Sequence, residues 1–227
     1  MHLIIGNKLY SSWSLRPWML MKALNLPFSE TVIALYQDDT KARIAAHSPG
    51  GKVPVLEDHG IHVWETLAIT EYLHDKFPDA GVWPKTTAAR ANARSIASEM
   101  HAGFQPLRQA CPMNLGRKFA LKVYGDDVKA CVERIEQLWR DARKTFGKDG
   151  PFLYGRFCAA DAMYAPIVTR LDSYSWPVAA DTRTYMNAVL SHPAFVAWRH
   201  DALKEPWHLP HYEAGHTVVE TYTRAKS

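Results

Sequence analysis

Two short apolar runs, Leu3-Ile4-Ile5 and Thr31-Val32-Ile33-Ala34-Leu35, flank a helix-patterned stretch from Ser14 to Leu26. Strand, helix and strand in so short a span make a βαβ unit, which requires parallel strands and a right-handed crossover. Ser12 or Ser14 can cap the helix, and Pro17 is read in its first turn, where a missing N–H is harmless. Thr40 to Ala46 reads as a short polar helix or turn. Val53-Pro54-Val55-Leu56 and Ile61-His62-Val63-Trp64 read as two further strands joined by a tight turn at Asp58-His59-Gly60. Glu65 to Phe77 reads as a helix that stops before Pro78. The predicted order is β-α-β-(α)-β-β-α.

The texture changes near Gly81-Val82-Trp83-Pro84, and no strand pattern persists beyond it. Val128, Val132, Ile135, Trp139, Ala142 and Phe146 recur at steps of three and four, which is one apolar helix stripe. Ala88–Met100, Ala159–Leu171, Thr182–Leu190 and a segment opening at Pro193 also read as helices. The chain is therefore divided into an α/β domain over 1–80, a linker over 81–88, an all-α domain over 89–213 and a polar tail over 214–227. No apolar run reaches the roughly 18 residues of a membrane span, and Met1 to Gly6 lacks the pattern of a secretory signal. A soluble, cytoplasmic protein is expected. Residues 1–80 carry 7 Lys/Arg against 9 Asp/Glu, and residues 81–227 carry 20 against 14. That excess is too diffuse for a nucleic-acid stripe.

Three segments could carry chemistry. The loop after the first strand holds Tyr10, Ser11, Ser12 and Ser14 at the start of a helix. Its hydroxyls can cap that helix, or they can donate to an anion held by the helix dipole. Val53-Pro54 is an edge-strand start. With a cis bond it would instead open the Val53 N–H and C=O to an extended ligand; sequence does not choose between them. Glu65-Thr66 is an ordinary helix start or a carboxylate site made of an amide and a hydroxyl. All three together suit a short peptide-like molecule with a carboxylate, an extended backbone and a thiol or other acid near the serines.

The β-α-β-α-β-β-α plan, Lys52-Val53-Pro54-Val55-Leu56, the segment Trp64-Glu65-Thr66-Leu67-Ala68-Ile69-Thr70-Glu71-Tyr72-Leu73 and the all-α second part resemble a glutathione S-transferase. The likeness runs from residue 2 to about 205. It implies a thioredoxin-like first domain followed by a helical domain. Ser11-Ser12-Trp13-Ser14-Leu15-Arg16 and Gly103-Phe104-Gln105-Pro106-Leu107 look most like the zeta class, which includes maleylacetoacetate isomerases. The resemblance implies that Ser11 donates to the glutathione sulfur, with Ser12 and Trp13 flanking the thiol. It implies further that Val53 pairs its backbone with the cysteinyl unit beside Pro54, that Lys52 lies near the glycyl end, that Glu65 and Thr66 hold the γ-glutamyl end, and that Gln105 reaches glutathione. Trp13, His101, Phe104, Arg108 and Met113 are expected to line an acceptor pocket, with interdomain packing as the other reading of the last four. Trp13 stands where zeta enzymes have Cys, which sets isomerisation in question.

The expected function is thus conjugation of glutathione, as co-substrate, to a small electrophile by a homodimer. The alternatives are a glutathione-dependent cis–trans isomerase and a non-catalytic scaffold of the same fold. A cysteinyl thiol titrates near 8.5, so lowering its pKa by two units needs roughly 2.7 kcal/mol. One charge-assisted hydrogen bond and a helix dipole can supply that. Tyr10 is a rival donor to Ser11. The three cysteines, Cys111, Cys131 and Cys158, all lie beyond residue 110. The reactive sulfur must then belong to the ligand, and disulfide exchange through a protein thiol on the first helix is excluded. Cys158-Ala159-Ala160-Asp161 reads as a helix start in which Asp161 bonds backbone amides. His208 and His211 have a ligand-like spacing, but no Cys or carboxylate cluster accompanies them, and no metal is expected.

Overall fold

The computed structural model describes residues 1–222. β1 (His2–Gly6), α1 (Ser12–Ala23) and β2 (Ser29–Ile33) form the βαβ unit, and β1 and β2 are parallel with His2 opposite Ser29. After the short α2 (Thr40–Ala45) come β3 (Val55–Asp58), β4 (Ile61–Trp64) and α3 (Thr66–Lys76). The sheet order is β2-β1-β3-β4, with β3 antiparallel to both neighbours. The β3–β4 turn is His59-Gly60, with φ of 48° and 84°, the left-handed pair that a two-residue hairpin requires. Buried Asp58, next to it, accepts from Tyr72 Oη at 2.6 Å and from Lys76 Nζ, which ties α3 to the hairpin.

Two local readings shift. β3 begins at Val55, because neither Val53 nor Pro54 joins the ladder. α1 begins at Ser12, because the Ser11 carbonyl already accepts from Leu15 N at 3.1 Å. Pro17 therefore sits in the second turn, where it withholds an amide from the Trp13 carbonyl.

The helical part holds α4 (Thr87–Ala102), α5 (Gln105–Ala110), α6 (Asp126–Phe146), α7 (Ala159–Ser173), α8 (Ala180–Leu190) and α9 (Pro193–Ala202). Every residue of α7 except Asp172 is buried. It packs against both α1 and α4, so one apolar core runs from the sheet into the helices. The second part is helical as expected, with one short strand pair added to it: β5 (Arg117–Phe119) pairs antiparallel with β6 (Val218–Thr221). β6 falls within the stretch read as a polar tail over 214–227, of which residues 223–227 lie outside the described residues. No described helix is long and apolar enough to cross a membrane.

Candidate functional site

A cleft of about 310 Å³ opens between the two parts of the chain, at the small end of the range for ligand sites. It is lined from the first part by Trp13, Gly50, Lys52, Val53, Pro54, Trp64, Glu65 and Thr66, and from the second by His101, Gln105 and Arg108. The Val53–Pro54 bond is cis. No described residue bonds the Val53 N–H or C=O. Glu65 is the N-cap of α3 with φ 67° and ψ 130°, a backbone conformation that costs a non-glycine residue roughly 1–3 kcal/mol and clusters at ligand sites. Buried Thr66 follows as the first helical residue, so its hydroxyl stands at the positive end of α3. Gly50 lets the loop pass under the Trp64 indole, since a Cβ there would meet Trp64 Cδ1 at 2.9 Å.

At the other end, Ser11 is the N-cap of α1 but does not cap it with its side chain. Its Oγ lies 2.7 Å from Ser14 Oγ, which accepts Gly6 N–H at 3.0 Å. Ser11 is 8% exposed. Ser12 is half-buried, and neither serine lines the cleft wall, which begins at Trp13. The Tyr10 ring lies tilted against Tyr212, with centroids 5.1 Å apart, and its hydroxyl accepts from Leu209 N at 3.3 Å. Tyr10 is not among the residues that line the cleft. Phe104 and Met113, 9% and 1% exposed, pack in the core and are not among the residues that line this cleft.

Trp13 organises one end of the cleft. The Arg16 and Arg108 guanidiniums lie 4.1 and 4.6 Å from its ring centroid, and His101 meets it edge-on at 5.1 Å. Arg16 is 1% exposed and donates to Met163 O and Ser12 O. Arg170, also buried, donates to Cys111 O and Pro166 O. None of these three arginines has a carboxylate partner among the described residues. Burial lowers all three guanidinium pKa values, Arg16 is lowered further by Arg170 and Arg108, and Arg170, held at about 10, by Arg108. All remain cationic at neutral pH, so the Trp13 end carries a positive potential. Sequence reading gave Arg16 and Trp64 no role. Arg16 stands four residues after Ser12, one helical turn, and that spacing is the signal that could have found it.

Burial pulls the His101 pKa below its usual 6.5, and the Arg16 and Arg108 charges add to this against the opposing Glu65 carboxylate, 3.7 Å away. The imidazole is neutral at pH 7. This group's share of stability is therefore complete above pH 6.5 and is lost as pH falls below it. An NMR titration of His101 is expected to give a midpoint under 6.5, moving upward in Arg108→Met; an unmoved midpoint would remove Arg108 from its surroundings.

Residues 10–76 match the model of the glutathione S-transferase N-terminal domain. By this match the first part of the chain is similar to the N-terminal domain of glutathione S-transferases. A probable maleylacetoacetate isomerase of Caenorhabditis elegans is 33% identical over 114 residues, covering 48% of this chain and 53% of that protein. The match to the C. elegans relative spans about half of that protein's length, whereas a maleylacetoacetate isomerase of Pseudomonas aeruginosa, 26% identical, is matched over 82% of this chain and 89% of its own. The transferase fold is shared over nearly the whole chain. A glutathione transferase homologue from Burkholderia, solved with bound glutathione, superposes with a TM-score of 0.69 over 90% of this chain and 98% of its own at 20% identity. A zeta-class maleylpyruvate isomerase does so with 0.65 over 92% and 100% at 18%.

Proposed function

We propose that this protein binds glutathione in the cleft, converts its thiol to a thiolate at the start of α1, and adds it to a small electrophile beside Trp13. The observation that carries this reading is the convergence of three sites on one cleft: the unpaired Val53 backbone, the Glu65-Thr66 start of α3 and the start of α1. Glu65 and Thr66 take the γ-glutamyl end, Val53 pairs with the cysteinyl unit, and Lys52 and Gln105 reach the remaining carboxylate end. Ser11 donates to the sulfur. Ser14 Oγ already holds Gly6 N–H, so its own proton is free to turn toward Ser11 and release the Ser11 proton to the thiolate. Hydroxyl protons rotate between such arrangements without moving heavy atoms. The uncompensated charges of Arg16 and Arg108 add to the same preference for an anionic sulfur. The enzyme acts as a cytoplasmic homodimer, which sedimentation at micromolar concentration would test.

Conjugation is favoured over isomerisation by Trp13. Its ring, with the Arg16 and Arg108 guanidiniums over it, stands where the resemblance puts the zeta cysteine, and Cys111 is fully buried. Maleylacetoacetate turnover is therefore expected to be absent; robust turnover would reverse the order of the two readings. Glutathione should raise the melting temperature of the protein. Thr66→Ala should weaken glutathione about tenfold or more, the worth of one hydrogen bond to a charged group. A wild-type protein with neither a thermal shift nor retention on immobilised glutathione would leave the scaffold reading.

A further inference from the structure

The loop that delivers Ser11 is held by residues almost two hundred positions away. Within its own domain it is fixed at its ends: Asn7 O accepts from Tyr10 N and Ser11 N, and Asn7 Oδ1 accepts from Leu35 N. The middle, Lys8 and Leu9, is gripped by the helical domain. Both oxygens of Glu205, just past α9, are used on consecutive amides, Oε1 on Lys8 N at 2.7 Å and Oε2 on Leu9 N at 3.0 Å. Trp198 Nε1, in α9, donates to Lys8 O at 2.9 Å. Leu115 N donates to Leu9 O at 3.2 Å. The Lys8 ammonium, on a residue 4% exposed, bridges Asp201 at 3.0 Å and Glu30 at 2.5 Å between the Trp18 and Trp198 rings. The peptide groups of both residues are thus satisfied from the helical domain, two residues before the proposed thiol donor.

A carboxylate across two successive amides fixes a peptide plane in orientation as well as position. We propose that Glu205 is a positioning residue for thiol activation. With Trp198, it sets the Lys8–Leu9 backbone and thereby the place of the Ser11 hydroxyl and the α1 amides relative to the glutathione sulfur. This inference rests on the reading of Ser11 given above. It makes the docking of α9 on the first domain a condition of activity rather than only of stability, because displacement of an activating group by a fraction of an ångström costs rate before it costs binding.

The test compares wild type, Glu205→Gln and Trp198→Phe in the full chain. Gln presents one oxygen to one amide and sets an NH2 against the other; Phe keeps a six-membered aromatic ring in the core but removes the pyrrole ring together with the donor to Lys8 O. For each protein we would measure melting temperature, the Kd for glutathione, the pKa of the bound thiol from its ultraviolet absorbance, and kcat and KM for a generic electrophile. Glu205→Gln is expected to raise the bound-thiol pKa by about one unit and to lower kcat at neutral pH about tenfold, with Kd changed less than about threefold. Trp198→Phe should move the same quantities in the same direction by about threefold. A folded Glu205→Gln protein with the wild-type thiol pKa and kcat overturns the proposal, whatever its melting temperature. If that variant does not fold, the same result in Trp198→Phe overturns it. A wild-type protein that fails to bind glutathione overturns the functional reading itself, and this inference with it.

Discussion

Asp161→Ala is expected to destabilise the protein by about 3–5 kcal/mol, the cost of stripping a buried carboxylate from its donors. Asp161 is fully buried at the first turn of α7. Its carboxylate accepts from Leu153 N at 3.0 Å, Cys158 N at 2.9 Å and Tyr185 Oη at 3.1 Å. Alanine orphans all three donors and leaves a cavity on a helix that packs against α1, α4, α8 and β5. For a chain of this length that corresponds to a melting temperature lower by roughly 10 °C. Asp161→Asn keeps one acceptor but turns an NH2 toward a donor, and should cost about half as much. Burial outweighs the three donors and pushes the Asp161 pKa up to about 6, above the unfolded value of about 3.9. Between those values the folded state holds the extra proton, so this group adds stability as pH falls from 7 toward 4. Denaturant unfolding at pH 7 and pH 5 checks both points: Asp161→Asn should lose the wild-type gain at pH 5, and a wild-type stability for Asp161→Ala would deny the carboxylate its role.

Much of this framework could be read from local pattern. The βαβ unit, the hairpin at His59-Gly60 and the amide-bonding role of Asp161 each depend on residues close together in the chain, where period and turn chemistry are decisive. The β5–β6 pair escaped because its strands are about a hundred residues apart and only three to four residues long; neither run stands out from a loop by itself. The same distinction separates the two ends of the site. Val53, Glu65 and Thr66 sit on short motifs, so the sequence offers them as candidates, but the cis bond at Val53–Pro54 and the left-handed backbone of Glu65 are set by the fold. The stacking of Arg16 and Arg108 on Trp13 joins α1 to α5, and the Glu205 grip on Lys8 and Leu9 joins α9's end to the first loop. Such contacts follow from the packing of α1 on α7 and α9, not from any spacing in the chain. Phe104 and Met113 show the complementary case: residues near a cleft helix divide between its wall and the core according to the helix's rotation, and Phe104 is itself a buried, left-handed N-cap.

Ser11→Ala is expected to lower the rate of conjugation to a generic electrophile about 10²-fold while weakening glutathione only modestly, as when one donor to a developing or stabilised anion is removed. The residue's surroundings give that number a sharper form. If the Ser11 hydroxyl is the last member of a chain from Gly6 N–H through Ser14 Oγ, its acidity depends on Ser14. Ser14→Ala should then lower the rate about tenfold without touching the ligand, and raise the pKa of the bound thiol by about one unit. Adding Ser14→Ala to Ser11→Ala should cost little more, because residues acting as one unit are not additive. Ser12→Ala, which lies outside that chain, should change the rate less than about threefold. Steady-state kinetics of the four variants and an absorbance titration of bound glutathione separate the outcomes. A full rate in Ser11→Ala together with a large loss in Ser12→Ala would transfer the thiol to Ser12, at the first position of α1. An additive double variant would leave Ser14 as a residue that only secures the end of β1.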